Sequence, residues 1–575
     1  MLKLFRRLGP YAPSIAAVLV LVFAQSIADL SLPTLMSDIV DEGIATGDIP
    51  FIWRTGGWML LLALAGIATN LVGGYLASRA ALGFGRELRS SIFRRVTSWS
   101  LDGIDRFGAA SLITRTTNDV TQVQQVLFMM LRMMAMAPIM AIGGLIMAVS
   151  KEPELAWMLA VAIPVLVAAI AAIAAKGLPL FTTIQRKLDT LNRVLREKLS
   201  GIRVIRAFDR VAYEQGRFED ANRELTEVTL KVNRLVSLLF PFVMLVMNLT
   251  TIAIVWFGGL AIDSGGVKIG SLMAFIQYSM QIMFSVVMVS VIFIMVPRAS
   301  ASALRINEVL ETGDSILDPD RPAAPPARSG RVEFRNVDFG YPGAEEMALR
   351  GVSFVAEEGK VTAIIGSTGS GKTTVLNLIE RFHDVSSGAV LVDGVDVREY
   401  RQAELRARLG YAPQKAMLFS GSVADNLRFG ADAADDAALR RALSVAQAVD
   451  FVDGMEGGLG AAVTQGGTNV SGGQRQRLAV ARAVARDPSI YLFDDTFSAL
   501  DARTDARLRE ALKAETAGST VIMVVQRVGT IVDADRIVVL DEGRVAGIGT
   551  HAELLAGNEV YREIVQSQLS AEVEA

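Results

Sequence analysis

The chain of 575 residues contains no cysteine and only two histidines. Without a thiol there is no disulfide, no thiolate metal site and no cysteine nucleophile. His383 and His551 alone leave almost no material for a zinc or imidazole centre. Neither sign of charge is in excess: 57 Lys and Arg stand against 60 Asp and Glu. With no Lys/Arg block either, nothing points to a nucleic-acid partner.

What is present divides the chain. This length implies two or three domains. Residues 1–310 carry long charge-free apolar runs, 331–575 read as a soluble mixture, and the proline-rich stretch 311–330 reads as a linker. Lys3, Arg6 and Arg7 followed by an apolar run resemble a signal peptide. No small-residue cleavage site closes the run and further runs follow, so the expectation is a retained first membrane helix.

Six stretches, near 12–37, 55–78, 127–150, 155–175, 235–262 and 269–297, are long enough to cross a bilayer. Residues 38–54 hold four acids and one arginine, and 151–154 and 263–268 are very short. By contrast, 79–119 carries seven arginines, and 176–234 is long and basic. Positive charge stays inside, which predicts a multi-pass cell-membrane protein with both termini and both long loops in the cytoplasm. Apolar residues at three- and four-residue spacing predict helical arms in those loops. An arm of ~25 residues reaches roughly 40 Å beyond the membrane.

Within the spans lie Gln25, Asp29, Asn70, Arg132, Asn248, Gln277 and Gln281. For Asp29 and Arg132, two uses stay open: lining a polar path, or snorkelling to an interface. Met129, Met133, Met136, Met140 and Met147 share one face of the third span, as an adaptable binding surface or, more often for such stripes, as packing.

In the second half, Lys360–Ile365 is a predicted strand, Gly366-Ser367-Thr368-Gly369-Ser370-Gly371-Lys372-Thr373-Thr374 follows, and a helix begins at Thr373. Strand, G-x-x-x-x-G-K-T and helix are the context of a phosphate-binding loop. The glycines let backbone N–H groups close on phosphate oxygens at a helix N-terminus. Lys372 would neutralise the terminal phosphates and Thr373 would hold Mg²⁺. Ser489–Phe493 is a short strand delivering Asp494 to the same edge as a metal carboxylate; a plain helix-capping acid is the alternative. Ser471-Gly472-Gly473-Gln474 precedes a second helix with Ser471 as candidate N-cap. With one phosphate site already made, this helix end makes best sense over a nucleotide held by another subunit; a simple glycine turn is the alternative.

The order Tyr341, Gly366–Thr373, Gln414, Val-Ser-Gly-Gly-Gln, Asp494 and Ser498-Ala-Leu-Asp501 resembles the nucleotide-binding domain of an ATP-binding cassette (ABC) transporter. The six-span half is similar to the exporter type of that superfamily. The resemblance implies an all-α transmembrane domain followed by an α/β P-loop domain, with ATP and Mg²⁺ as ligands. By it, Tyr341 stacks on adenine, Gln414 senses the γ-phosphate and joins Thr373 and Asp494 around Mg²⁺, and Asp501 faces the partner, as do Ser471–Gln474. Stretches near 102–111 and 209–220 become coupling segments.

Three positions depart from the family. Its catalytic Glu is here Asp495, shorter by one methylene, and its switch His is Gln526, which cannot ionise. Gln465 stands where exporters commonly carry Glu. Degeneracy at both hydrolytic positions, with an intact signature motif, resembles one subunit of a heterodimeric multidrug exporter. The expected partner is a second half-transporter with an intact Glu and His, and the cargo an amphipathic small molecule, lipid or peptide. A homodimer with Asp495 as a slow base, an importer on the exporter fold and a nucleotide-gated regulatory membrane protein are the alternatives.

Overall fold

The computed structural model describes residues 2–313, 315–324, 329–498 and 500–574. Positions 314 and 325–328 of the expected linker, and Ala499 of the Ser498–Asp501 motif, lie outside them. Two compact units emerge: residues 1–97 with 109–312, and residues 98–108 with 313–575.

Among the described residues of the first unit, six helices are long and apolar enough to cross a membrane. They are α1 (Ala12–Asp38), α2 (Ile49–Thr97), α3 (Ala109–Lys151), α4 (Ala156–Ser200), α5 (Val211–Asp263) and α6 (Ile269–Glu311). With 49 residues, α2 measures about 74 Å, well beyond the ~30 Å hydrocarbon core. The expected spans are thus segments of longer helices. In α3, π-helical turns interrupt the register at Arg115–Asp119 and Met130–Met134. The second lies just before Pro138, which has no N–H to offer the Met134 carbonyl.

Met140 joins Leu30, Leu159, Phe275, Tyr278 and Ile282 in the core, and Met136 and Met147 pack against it. These three are packing residues. Tyr278 Oη donates to Leu30 O at 2.8 Å, and Asp41 caps α6 by accepting from Gly270 N and Ser271 N at 2.7 and 3.1 Å. Arg132 lies where a Cβ on Gly74 would come within 3.3 Å of its Nη1, so this glycine makes room for the guanidinium. Between α4 and α5 a short helix, Ile202–Ala207, forms the turn. The stretch 209–220 falls mostly inside α5; the apex is 201–210.

The second unit holds a six-stranded sheet in the order Arg544–Gly549, Arg536–Asp541, Val361–Gly366, Thr520–Val524, Ile490–Asp494, Leu409–Ala412. All pairs but the first are parallel. A four-stranded antiparallel sheet includes Val332–Phe339 and Leu349–Ala356. Along Val361–Gly366, Ala363 and Ile365 enter one core and Ile364 another. Met523 and Phe493 lie with the former, Ile522 and Leu492 with the latter. Both faces are covered, which explains continuous apolar runs where a half-exposed strand would alternate.

Candidate nucleotide-binding site

Open parallel sheets place their sites at the carboxyl ends of the strands. Here Val361–Gly366 leads into the glycine-rich loop, Ile490–Asp494 into Asp495, and Thr520–Val524 into Gln526. The pairing of Val524 with Asp494 and with Ile364 brings the three ends level. A Cβ on Gly366 would meet Leu540 O at 2.0 Å, and Gly371, at φ +94°, would meet Ala348 O at 2.7 Å. No other residue fits either position. The helix runs from Lys372 to Ile379 and ends where Arg381 turns left-handed at φ +52°.

Lys372 Nζ donates to Gly366 O and Ser367 O at 2.9 and 2.7 Å, so the loop's own carbonyls hold the ammonium over its concavity. Burial lowers its pKa, while Asp495 and Asp494 pull it back up. The Ser370 hydroxyl is buried without a partner. Thr373 Oγ1 donates to Asp494 Oδ1 at 3.1 Å. Burial raises the pKa of Asp494, the Thr373 bond opposes this, and the Asp495 charge adds to it. Two carboxylates facing one ammonium, beside an orphan hydroxyl, fit a Mg²⁺–polyphosphate. Among the described residues no three His, Cys, Asp or Glu cluster as a metal cage. A Mg²⁺ ion needs only one or two protein carboxylates and completes its shell with phosphate and water.

Asp495 stands at φ +44°, a left-handed conformation Asp tolerates better than most residues. Its N–H is held by Val524 O at 2.9 Å. Gln414 Nε2 and Gln526 Nε2 both donate to its Oδ2, at 3.2 and 2.8 Å. The structure thus joins the three residues singled out around hydrolysis. Gln568, which sequence reasoning missed, braces them from the last helix: it donates to Gln526 O at 2.7 Å and accepts from Val528 N at 2.8 Å. A glutamine 42 residues away in a polar helix carried no local signal.

Tyr341 is half-exposed, and its hydroxyl pairs with Thr374 Oγ1 at 3.0 Å. Phe339 and His383 support its ring edge-on. His383 Nδ1 lies 3.0 Å from Asp102 Oδ1, within ion-pair range though not aligned as a hydrogen bond. His551 bonds Tyr561 Oη at 2.8 Å and joins neither cluster.

Ser471 caps Gly472–Ala485: Gln474 N donates to its Oγ at 3.2 Å, and Ser471 N donates to Gln474 Oε1 at 2.8 Å. Among the described residues, neither side chain bonds to 366–374. A Cβ on Gly472 would meet nothing within 4 Å. Asp501 caps the helix Ala502–Glu515, and the Thr504 N–H lowers its pKa. Gln465 is exposed in a tight turn.

Residues 15–286 match the family described as ABC transporter transmembrane region, and residues 349–498 match the family described as ABC transporter. An ABC transporter ATP-binding protein of Mycobacterium tuberculosis is 44% identical over 100% of this chain and 99% of its own length. An ATP-dependent lipid A-core flippase of Syntrophus aciditrophicus is 28% identical over 98% of this chain and 94% of its own. The solved structure of a bacterial Atm1-family ABC exporter with ATP bound superposes with a TM-score of 0.80 at 25% identity, covering 98% of each chain.

Proposed function

Since the chain belongs to the ABC transporter family and has the exporter-type architecture, we propose that it is one half of a two-chain exporter whose own ATP site is impaired in hydrolysis. The transmembrane domain is then 1–310, the linker 311–330 and the nucleotide-binding domain 331–575, with nucleotide domain and termini cytoplasmic. Bound Mg-ATP supplies the phosphoanhydride whose cleavage drives transport. The loop 366–374 and Tyr341 bind it, with Thr373, Asp494 and Gln414 toward the metal.

The observation that carries the impairment is the Asp495 carboxylate, with one oxygen tied to two glutamine amides. A side chain one methylene too short is thereby fixed in place, and Gln526 has no ionisable proton to exchange. Displacement of about 1 Å from productive geometry costs ~10²-fold in rate.

Two observations favour a second chain. Among the described residues, the Ser471 and Gln474 side chains bond to each other's backbone and not to 366–374. The apex after α4 presents Val204, Phe208 and Tyr213, 60%, 74% and 61% exposed, around a hollow of about 610 Å³. An apolar tip of this kind suits a protein surface better than water. The flippase relative favours amphipathic or lipid cargo moved outward.

Purified alone, the chain is expected to bind Mg-ATP but to hydrolyse it roughly 10²–10⁴-fold more slowly than when paired with a half-transporter carrying the family's Glu and His. Turnover by the chain alone at the rate of the pair overturns the reading in favour of a homodimer.

A further inference from the structure

We propose that Asp119, gripped by Arg305 and Ser302, is a positioning residue for transport. It ties α3 to α6, and together with the Arg95–Thr312 bond from α2 it makes one lever of the helices at which the chain passes between its two units. This rests on the ATP-driven exporter reading above and adds the element that carries movement into the membrane helices.

The chain passes between units after Thr97, after Gly108 and after Thr312. On the membrane side these points are the end of α2, the start of α3 and the end of α6. Arg95 Nε, on α2, donates to Thr312 O at 3.0 Å. Arg115 Nη1, on α3, donates to Glu308 Oε2 at 2.7 Å and to Arg305 O at 2.9 Å. Asp119, four residues on and 2% exposed, accepts from Ser302 Oγ at 2.9 Å through Oδ1 and from Arg305 Nε at 2.8 Å through Oδ2. Arg305 Nη2 completes the two-pronged grip.

Most of the seam around this clamp is apolar. Ala299, Ala303, Ile306 and Val309 of α6 are fully buried, as are Ile92 of α2 and Val120 and Val123 of α3. Such a seam holds helices together without fixing their rotation or their sliding. An ion pair with one half-exposed partner contributes little net stability, but a forked, two-point grip has only one register. The π-helical turn Arg115–Asp119 brings this carboxylate to α6, and such turns recur where a helix serves function rather than regularity. Arg305 lies eight positions before Gly313, and Asp119 eleven after Gly108. A push on either connection therefore reaches both helices within three turns.

The test uses the chain assembled with its partner half in lipid nanodiscs, with Mg-ATP as the only ligand. The absence of native cysteine allows a single fluorophore at Ala45→Cys, exposed beyond α1. In the otherwise native chain, Mg-ATP is expected to shift the fluorophore's emission as it binds. Asp119→Asn, of nearly the same shape, and Arg305→Gln are expected to shrink that shift about 10-fold while a fluorescent ATP analogue binds with an unchanged Kd. In Asp119→Cys/Ser302→Cys, with the fluorophore carried at position 45 by a fluorescent unnatural amino acid instead of a thiol, a short thiol cross-linker is expected to restore the response lost in the reduced protein. Loss of folding alone would not be reversed by the cross-linker. An unchanged response in Asp119→Asn and Arg305→Gln, or a response that stays lost on cross-linking, overturns the lever. No response to Mg-ATP in the otherwise native chain removes the exporter reading beneath it.

Discussion

Glu380 closes the phosphate-loop helix with a carboxyl pushed up to about 8. Burial is the main cause, Arg406 pulls the other way, Asp494 adds to the rise, and Oε2 has no partner. The folded protein therefore keeps a proton that the unfolded chain releases near pH 4.3. The associated stability is fully present below that value and is lost as pH rises through about 8. Glu380→Gln, neutral throughout, is expected to flatten the decline in denaturation midpoint of the nucleotide unit between pH 5 and about 9. Equal slopes in both proteins would exclude Glu380 as its source. Asp495 and Gln526 are the other residues on which the chemistry turns. They touch through Oδ2 and Nε2, so they act as a pair. Asp495→Glu combined with Gln526→His is expected to raise hydrolysis at this chain's own site about 10-fold or more, read in an assembled transporter whose partner site is disabled, and each change alone much less. If the double variant turns over as slowly as the parent, the impairment lies elsewhere than in these two side chains.

Helix Gly472–Ala485 begins in a closed capping box, Gln474 N donating to Ser471 Oγ and Ser471 N to Gln474 Oε1. Gly473→Glu, which adds bulk and a negative charge at that end, is expected to abolish hydrolysis in the assembled transporter, whereas Lys372→Ala leaves at least about half of it. Parallel measurement of both variants decides: equal damage would show that the two sites do not divide their labour. At this scale the sequence was readable wherever the signal was periodic or local. The spans followed from apolar length, and the strand–loop–helix from its glycines. Ser471 as N-cap followed from its place just before a helix. Three features escaped. The π-turns at Arg115–Asp119 and Met130–Met134 answer to Pro138 and to a partner on α6, neither visible in a 3.6-residue period. Gln568 acts across 42 residues through one amide. The apex at 201–210 was placed too late, because its breaks at Gly201 and after Ala207 carry no proline to mark them.

For the whole molecule, domain borders drawn along the sequence miss a piece of the second unit. Leu101–Phe107 folds with residues 313–575: Asp102 meets His383, Ser100 Oγ pairs with Ser315 Oγ at 2.8 Å, and Trp99, buried, stacks on Phe107 at 5.1 Å. A fragment of 331–575 alone is expected to unfold about 1–3 kcal/mol more easily than the same fragment with 98–108 attached. Chemical denaturation of the two fragments measures the difference, and identical midpoints would make the segment a passenger. The same segment also sets a schedule. It leaves the ribosome 205 residues before Gly313, which at 5–20 residues per second is a wait of about 10–40 s. Throughout that interval Trp99 and Asp102 have no host. Four membrane helices must be threaded into lipid before His383 and Ser315, which receive Asp102 and Ser100, exist. Membrane insertion thus falls between the making of the two pieces of one unit, and a motor that folds before the segment docks does so in the weaker form of that comparison.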